Sequence, residues 1–321
     1  MPVPIRLAVV LVTLLVSSKA ALEQSNPTER QLPTQQQLNR FGLELAWWGQ
    51  STMNPARDKV RHVSIDEDMV FSISTSGIVT AFDSETGKKR WALLLGKFDQ
   101  PSYPVVSNER LAMVVVGTTL YAVDKKTGNL NWTLVLPGQP STAPGVDEDQ
   151  VYVGNLDGSV YAFSLRKIRQ LYQEQRLPQW SAEAIVWRAS ASKEITSPPV
   201  PNGRTVTFCS RDGSLYSVAA SDKRLIFQLE TNGAIVAPLA TSGKLQFLAS
   251  EDNTFFAVNA QNGTIVWDYT AGLPIRRAPY VVGNDPYLTP FGGGRYCLNA
   301  AHGCQRGSQP NAYSYVALVD D

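Results

Sequence analysis

Apolar residues alternate with small or polar ones through "VYVGNLDGSVYAF" (151–163), on either side of an Asp157-Gly158 pair. Alternation of period two around a tight turn predicts two antiparallel strands joined by a hairpin. A second kind of turn stands in "AFDSETGKKRW" (81–91), "AVDKKTGNLNW" (122–132) and "AVNAQNGTIVW" (257–267). In each, an Ala is followed by an acidic or amide residue, then a Thr-Gly or Asn-Gly, then a Trp. The Asp83 carboxylate can accept backbone N–H bonds in such a turn, and Gly87 can take positive φ without a Cβ clash.

These segments recur. The Ala position falls at Ala81, Ala122, Ala162, Ser217, Ala257 and Cys297, at intervals of 41, 40, 55, 40 and 40 residues. The closing aromatic keeps the same register through Trp91, Trp132, Trp187, Phe227 and Trp267, and the sixth place holds Gly307. A proline opens each of the last five units (Pro104, Pro144, Pro199, Pro238, Pro279), and a small turn residue precedes each Ala position by four (Gly77, Thr118, Gly158, Gly213, Asn253, Gly293). A period near 40 argues for stacked supersecondary units. Each unit reads as four short strands, and a four-stranded sheet that must bury both faces against its neighbours, repeated radially, is a β-propeller. The fold expected is therefore all-β: six visible blades, with an incomplete seventh. The recurring aromatics, Trp91, Trp132, Trp187, Phe227 and Trp267, are expected to dock one blade on the next, each indole N–H finding a carbonyl.

The pattern A-x-[DN]-x-x-[TN]-G-x-x-x-W after such a hairpin resembles the repeat of pyrroloquinoline-quinone-type propellers, and among them the non-enzymatic, BamB-like repeat proteins of bacterial cell envelopes. The resemblance covers roughly residues 46–307. Units three and four depart from it, since "AFSLRKI" and "SVAASDKRLIF" lack the Thr-Gly. It implies a scaffold that binds a protein partner, in the envelope assembly machinery. One propeller scaffold hosts many activities, so function must come from the site.

The opening "MPVPIRLAVVLVTLLVSSKAALEQ" has one Arg, an apolar run from Leu7 to Val16 and a small-residue site ending at Ala20, the layout of a secretory signal peptide over residues 1–20. The run is too short for a membrane-spanning helix. The exported chain is expected in the periplasm or cell envelope, soluble or peripherally bound to the membrane, with no Cys near Ala20 for the lipid anchor that the resemblance implies. Residues 21–45 read as a polar, Gln-rich leader with a short helix, and residues 46–321 as the propeller. "LELAWWG" is expected as a stray strand. It would either join "YSYVALV" in a thin closing blade or precede a propeller that has lost later repeats. Truncation is the expectation, because an open propeller leaves unpaired strand edges. Without Arg6 and Lys19 the net charge falls from +1 to −1, which gives no electrostatic footprint for nucleic acid.

Candidate chemistry is sparse. The two histidines, His62 and His302, stand in different repeats, and no zinc, Walker or nucleophile-elbow spacing is present. No catalytic, cofactor-binding or metal-binding residue is therefore assigned. Asp83, Asp124, Asp157 and Asp212 recur because the turns recur. "FGGGRY" occupies a hairpin slot and reads as a turn. Cys297 and Cys304 flank the sixth turn, where an oxidising compartment would permit a bridge, while Cys209 reads as a buried thiol. The alternative function is a quinone-dependent oxidoreductase, which the resemblance equips with pyrroloquinoline quinone, calcium and a disulfide between adjacent cysteines; no cysteines are adjacent here. The one irregularity is the 55-residue interval, whose insertion (about 165–185) places Ile168, Leu171 and Tyr172 at helical spacing. That helix either packs on its own blade or presents those three residues to a partner.

Overall fold

In a computed structural model, which describes residues 36, 39, 45–179 and 181–310, each repeat unit forms one four-stranded antiparallel sheet. The six sheets are the blades of a β-propeller and span residues 60–94, 106–135, 145–190, 200–230, 240–270 and 280–309. Blade 1 sets the pattern: β1 (Val60–Ile65), β2 (Met69–Ser74), β3 (Ile78–Asp83) and β4 (Lys89–Leu94) pair in sequence order. The middle strands are buried on both faces, so Met69–Ser74 in blade 1 and Leu111–Val116 in blade 2 are buried throughout. The outer strands face solvent. In Lys89–Leu94 only Trp91 is fully buried.

First strands of neighbouring blades converge, as Gly145–Val146 does on Val106–Ser107 and on Val200–Asn202. The five prolines each lie one or two residues ahead of such a strand. With no N–H to donate, proline suits the point where ladder pairing begins.

The Ala position is the cross-strand partner of the closing aromatic in every blade: Ala81 opposite Trp91, Ala122 opposite Trp132, Ala162 opposite Trp187, Ser217 opposite Phe227, Ala257 opposite Trp267 and Cys297 opposite Gly307. A β-bulge follows that pair in all six blades. An extra outer-strand residue there re-aims the outer strand against the sheet. The three Ala residues of the turn motif, Ala81, Ala122 and Ala257, are fully buried.

Each aromatic also meets the next blade. The Trp91 indole N–H donates to the Lys125 carbonyl at 2.9 Å, Trp187 to Ala220 at 2.7 Å and Trp267 to Ala300 at 2.7 Å. The ring lies against a turn residue without a side chain: Gly128 under Trp91, Gly263 under Phe227 and Gly303 under Trp267. Blade 4 keeps this turn without the glycine, with Lys223 at φ +58°.

The "LELAWWG" segment differs from expectation. Its described part, residues 45–49, is not strand. Instead Trp47 packs on Phe82 and against Gly87, and its indole donates to the Ser84 carbonyl at 2.8 Å. Trp47 thus does for blade 1 what Trp91 does for blade 2. Its sequence signal was its place, 44 residues before Trp91. The expected signal peptide, most of the expected leader and "YSYVALV" lie outside the described residues; of the leader's expected helix only Gln36 and Asn39 are described, both helical.

A Cβ built on Gly128 (φ +74°) would stand 2.5 Å from the Trp91 ring, whereas one on Gly203 (φ +63°) meets nothing within 4 Å. Gly203→Ala should cost about 1–2 kcal/mol, the left-handed backbone penalty alone. Gly128→Ala should cost about 1–3 kcal/mol more, the overpacking contribution. Urea unfolding of both variants measures the gap, and equal losses would contradict the docking geometry.

Candidate functional site

The acidic residues of the repeats are occupied by their own turns. Asp83 Oδ1 accepts from the Thr86 N–H (2.9 Å) and hydroxyl (2.6 Å), and Asp83 Oδ2 from Arg90. The Thr86 hydroxyl foremost, then Arg90, holds the Asp83 carboxyl well below its ordinary range. Asp124 repeats the arrangement with Thr127, whose N–H is the main cause of its lowered pKa. Asp157 caps its hairpin through the Ser159 N–H. Asp212 does so through Ser214 and also accepts the Ser192 N–H from the loop after blade 3. Burial works against the ionised Asp212, but these bonds and the Tyr216 hydroxyl outweigh it and its pKa is lowered.

The remaining candidates are structural in the same way. His62 Nε2 lies 2.8 Å from the Ser102 carbonyl, tying blade 1 to the segment entering blade 2, and burial lowers its pKa. The His302 N–H donates to Asn299 in the sixth turn. The Cys209 thiol is buried, which pushes its pKa well up, and all three cysteines are free, so Cys297 and Cys304 are not bridged. Gly292, Gly293 and Gly294 form the hairpin turn read from the sequence, with the Arg276 guanidinium 5.4 Å over the exposed Phe291 ring.

The insertion in blade 3 is helix α1 (Leu165–Gln173) followed by a 3-10 turn, Ser181–Ala184. Ser164 caps α1 by accepting the Lys167 N–H at 3.2 Å, the local reason that a helix starts where the other blades turn. Lys167 and Arg176 both pair with Glu183 and fasten the helix to the 3-10 turn. Here the partner-docking reading needs correction. Ile168 and Leu171 are 0% exposed, packed in the core with Phe163 and Trp132, and only Tyr172 is exposed. Leu165, Ile168 and Leu171 give the helix an apolar side, and the adjoining blade core buried it.

Two clefts flank blade 2. One, of about 460 Å³, lies where α1 meets blades 2 and 3 and is lined by Trp132, Leu165, Arg169 and Tyr172 with Arg110 and Glu148. The other, also about 460 Å³, lies between the turns of blades 1 and 2, around Arg90, Lys125 and Asp68. In its wall the nearly buried Lys125 Nζ reaches Asp66 at 2.7 Å, and the Ser107 hydroxyl also donates to Asp66. Burial disfavours the Asp66 carboxylate, but Lys125, Ser107 and the Asp68 N–H prevail and lower its pKa.

The turn carboxylates are committed to their turns, Cys209, Cys297 and Cys304 are not adjacent, and no group of three or more His, Cys, Asp or Glu that could hold a metal occurs among the described residues. No helix among the described residues is long and apolar enough to cross a membrane.

Because Asp66 has a lowered folded-state pKa, its ion pair contributes fully above the unfolded carboxylate value near 4 and is lost as pH falls through the lower folded value. Lys125→Met should therefore cost roughly 1–3 kcal/mol at neutral pH. The difference from the parent should shrink below about pH 4. Urea midpoints between neutral and strongly acidic pH check this; a difference independent of pH would contradict the assignment.

The profile of the family described as "Outer membrane protein assembly factor BamB" matches residues 75–183 and 181–312. Among curated proteins, the chain is similar to outer membrane protein assembly factor BamB of Moranella endobia, 24% identical over 234 residues, covering 70% of this chain and 58% of that protein. It is likewise similar to BamB of Burkholderia pseudomallei, 22% identical over 249 residues, covering 72% of this chain and 61% of that protein. The chain thus spans about 60% of the length of these relatives. Among solved structures, the crystal structure of BamB from Moraxella catarrhalis superposes with a TM-score of 0.58 at 21% identity, covering 77% of this chain and 73% of that one.

Proposed function

The chain belongs to the family of outer membrane protein assembly factor BamB, and from that premise we propose that it is an exported, non-catalytic β-propeller scaffold that binds a protein partner in envelope protein assembly. The observation that carries this reading is the state of the polar side chains. The Asp83, Asp124, Asp157 and Asp212 carboxylates are held in their turns, His62 in a blade contact and Cys209 in the core. The aromatics Trp91, Trp132, Trp187, Phe227 and Trp267 then serve as blade-to-blade fastenings, not as a ligand-stacking set. Of the three helix residues considered for partner docking, Tyr172 is the one that solvent reaches.

Titration with pyrroloquinoline quinone and calcium, followed by a dye-reduction assay with simple alcohols and sugars, should show neither stoichiometric binding nor turnover. A photo-crosslinking residue at Tyr172 in cells should capture an outer-membrane assembly protein. Quinone binding with turnover would sink the scaffold reading. For the aromatic set, Trp91→Ala should destabilise the fold by about 3–5 kcal/mol, the usual loss for a buried Trp. A variant that melts like the parent yet loses a small-molecule ligand would make the set a binding site instead.

A further inference from the structure

Three Asn-Gly pairs occur in the described chain: Asn202-Gly203, Asn232-Gly233 and Asn262-Gly263. In such a pair glycine puts no Cβ beside the backbone nitrogen that can attack the asparagine side chain to form a cyclic imide. A fold controls this reaction through two groups. The side-chain amide must be free to turn onto the following nitrogen, and that N–H must be free to lose its proton. In Asn262-Gly263 both are engaged: Asn262 Oδ1 accepts the Thr264 N–H (3.0 Å) and hydroxyl (2.8 Å), the Gly263 N–H donates to the Asn259 carbonyl (2.9 Å), and the Phe227 ring covers Gly263. In Asn232-Gly233 the backbone is clamped: the Asn232 N–H donates to the Asp252 carboxylate (3.0 Å), the Thr231 hydroxyl to the Gly233 carbonyl (2.8 Å), and a Cβ on Gly233 would stand 2.4 Å from the Asp252 nitrogen. The Asp252 charge also disfavours the amide anion that must form there.

Asn202-Gly203 carries none of these restraints. It stands in the tight turn between the strands Val200–Asn202 and Thr205–Cys209 of blade 4, where Asn202 is the ladder partner of Thr205. Asn202, Gly203 and Arg204 are all exposed, and a Cβ on Gly203 (φ +63°) meets nothing within 4 Å. The Thr205 hydroxyl reaches the Asn202 carbonyl at 3.4 Å, but among the described residues the Asn202 side-chain amide has no hydrogen-bond partner and the Gly203 N–H no acceptor. The charged neighbour in sequence is Arg204, whose guanidinium favours the amide anion.

We propose that Asn202 is a deamidation site of the folded protein. The Gly203 nitrogen loses its proton to solvent base and bonds to Asn202 Cγ; the Cγ–Nδ2 bond breaks, and ammonia leaves with a proton returned from solvent. Water then opens the imide at one of its two carbonyls. Attack at Cγ gives aspartate on the original backbone, and attack at the main-chain carbonyl gives isoaspartate, with the chain rerouted through the former side chain. No oxidation or reduction is involved. Either product places a new negative charge beside Arg204 at the blade 4 turn.

Trypsin separates the three pairs into the peptides 194–204, 225–244 and 245–276. The whole protein is held at mildly alkaline pH, both in buffer and unfolded in guanidinium chloride, and the acid form of each peptide is quantified by mass spectrometry over days. Dividing the folded-state rate of each pair by its unfolded-state rate removes the effect of local sequence. The expected ratio for Asn202 is at least fivefold above those for Asn232 and Asn262. Isoaspartate, detected by enzymatic methylation, should appear in the folded sample in peptide 194–204. Asn202→Ser, which removes a side chain without a partner, should abolish that signal and leave the other two rates unchanged. The proposal is overturned if the ratio for Asn202 equals or falls below either of the others, or if the methylation signal of the folded protein persists in Asn202→Ser.

Discussion

The structure depends on one contact repeated around the propeller: an aromatic ring from one blade laid on a turn of the next, at a position with little or no side chain. A Cβ at Gly87, Gly128, Gly263 or Gly303 would stand 2.3–2.6 Å from the ring that covers it. The indole edge then reaches a carbonyl three residues before that glycine, so apolar packing and a directional bond act at one place. Much else follows from this contact. The Ala opposite each Trp must be small, the bulge beside it must set the outer strand's phase, and the turn must present a bare backbone outward.

Those demands also explain where the polar residues went. A turn that holds its glycine against a neighbouring ring must be rigid, and the Asp or Asn at its start supplies rigidity by accepting N–H groups from within the turn. The Asp83 and Asp124 carboxylates are thereby fixed to their own turns. The hairpins at the other end of the blades use their aspartates similarly, and Asp212 and Asp252 reach across to the preceding loop as well. Stiffness between blades comes from such repeated local bonds together with inter-blade carbonyl contacts such as Tyr103 to Pro140 and Thr196 to Ile235.

Blade 3 breaks the repeat and is the most individual part of the molecule. Ser164 starts a helix where the sister blades make their turn, so Leu165 and Ile168 replace backbone as the cover on Trp132. The ring stays buried, and a charged cleft opens beside the helix. Blade 4 lacks the Thr-Gly too, yet there the turn survives with Lys223 in the left-handed region. Two similar departures in sequence thus had different structural outcomes, because blade 4 kept the turn length and blade 3 did not.

The blade count, the register of the Ala and aromatic positions, and the turn chemistry were determined by the sequence, because each is a local pattern repeated at a fixed interval and strengthened by its recurrence. The burial of Trp132 and the commitment of Asp83 and Asp124 to turns belong to the same local logic. What only the tertiary structure decided involves contacts between units. Ile168 and Leu171 form an apolar stripe that is equally consistent with docking a partner or packing inward; the neighbouring core, present only once the blades are assembled, turned them in. Trp47 stands ahead of the first full unit, and its pairing with Gly87 of blade 1 forms only when the two segments pack together. The ion pair of Lys125 with Asp66, 59 residues apart, has the same origin.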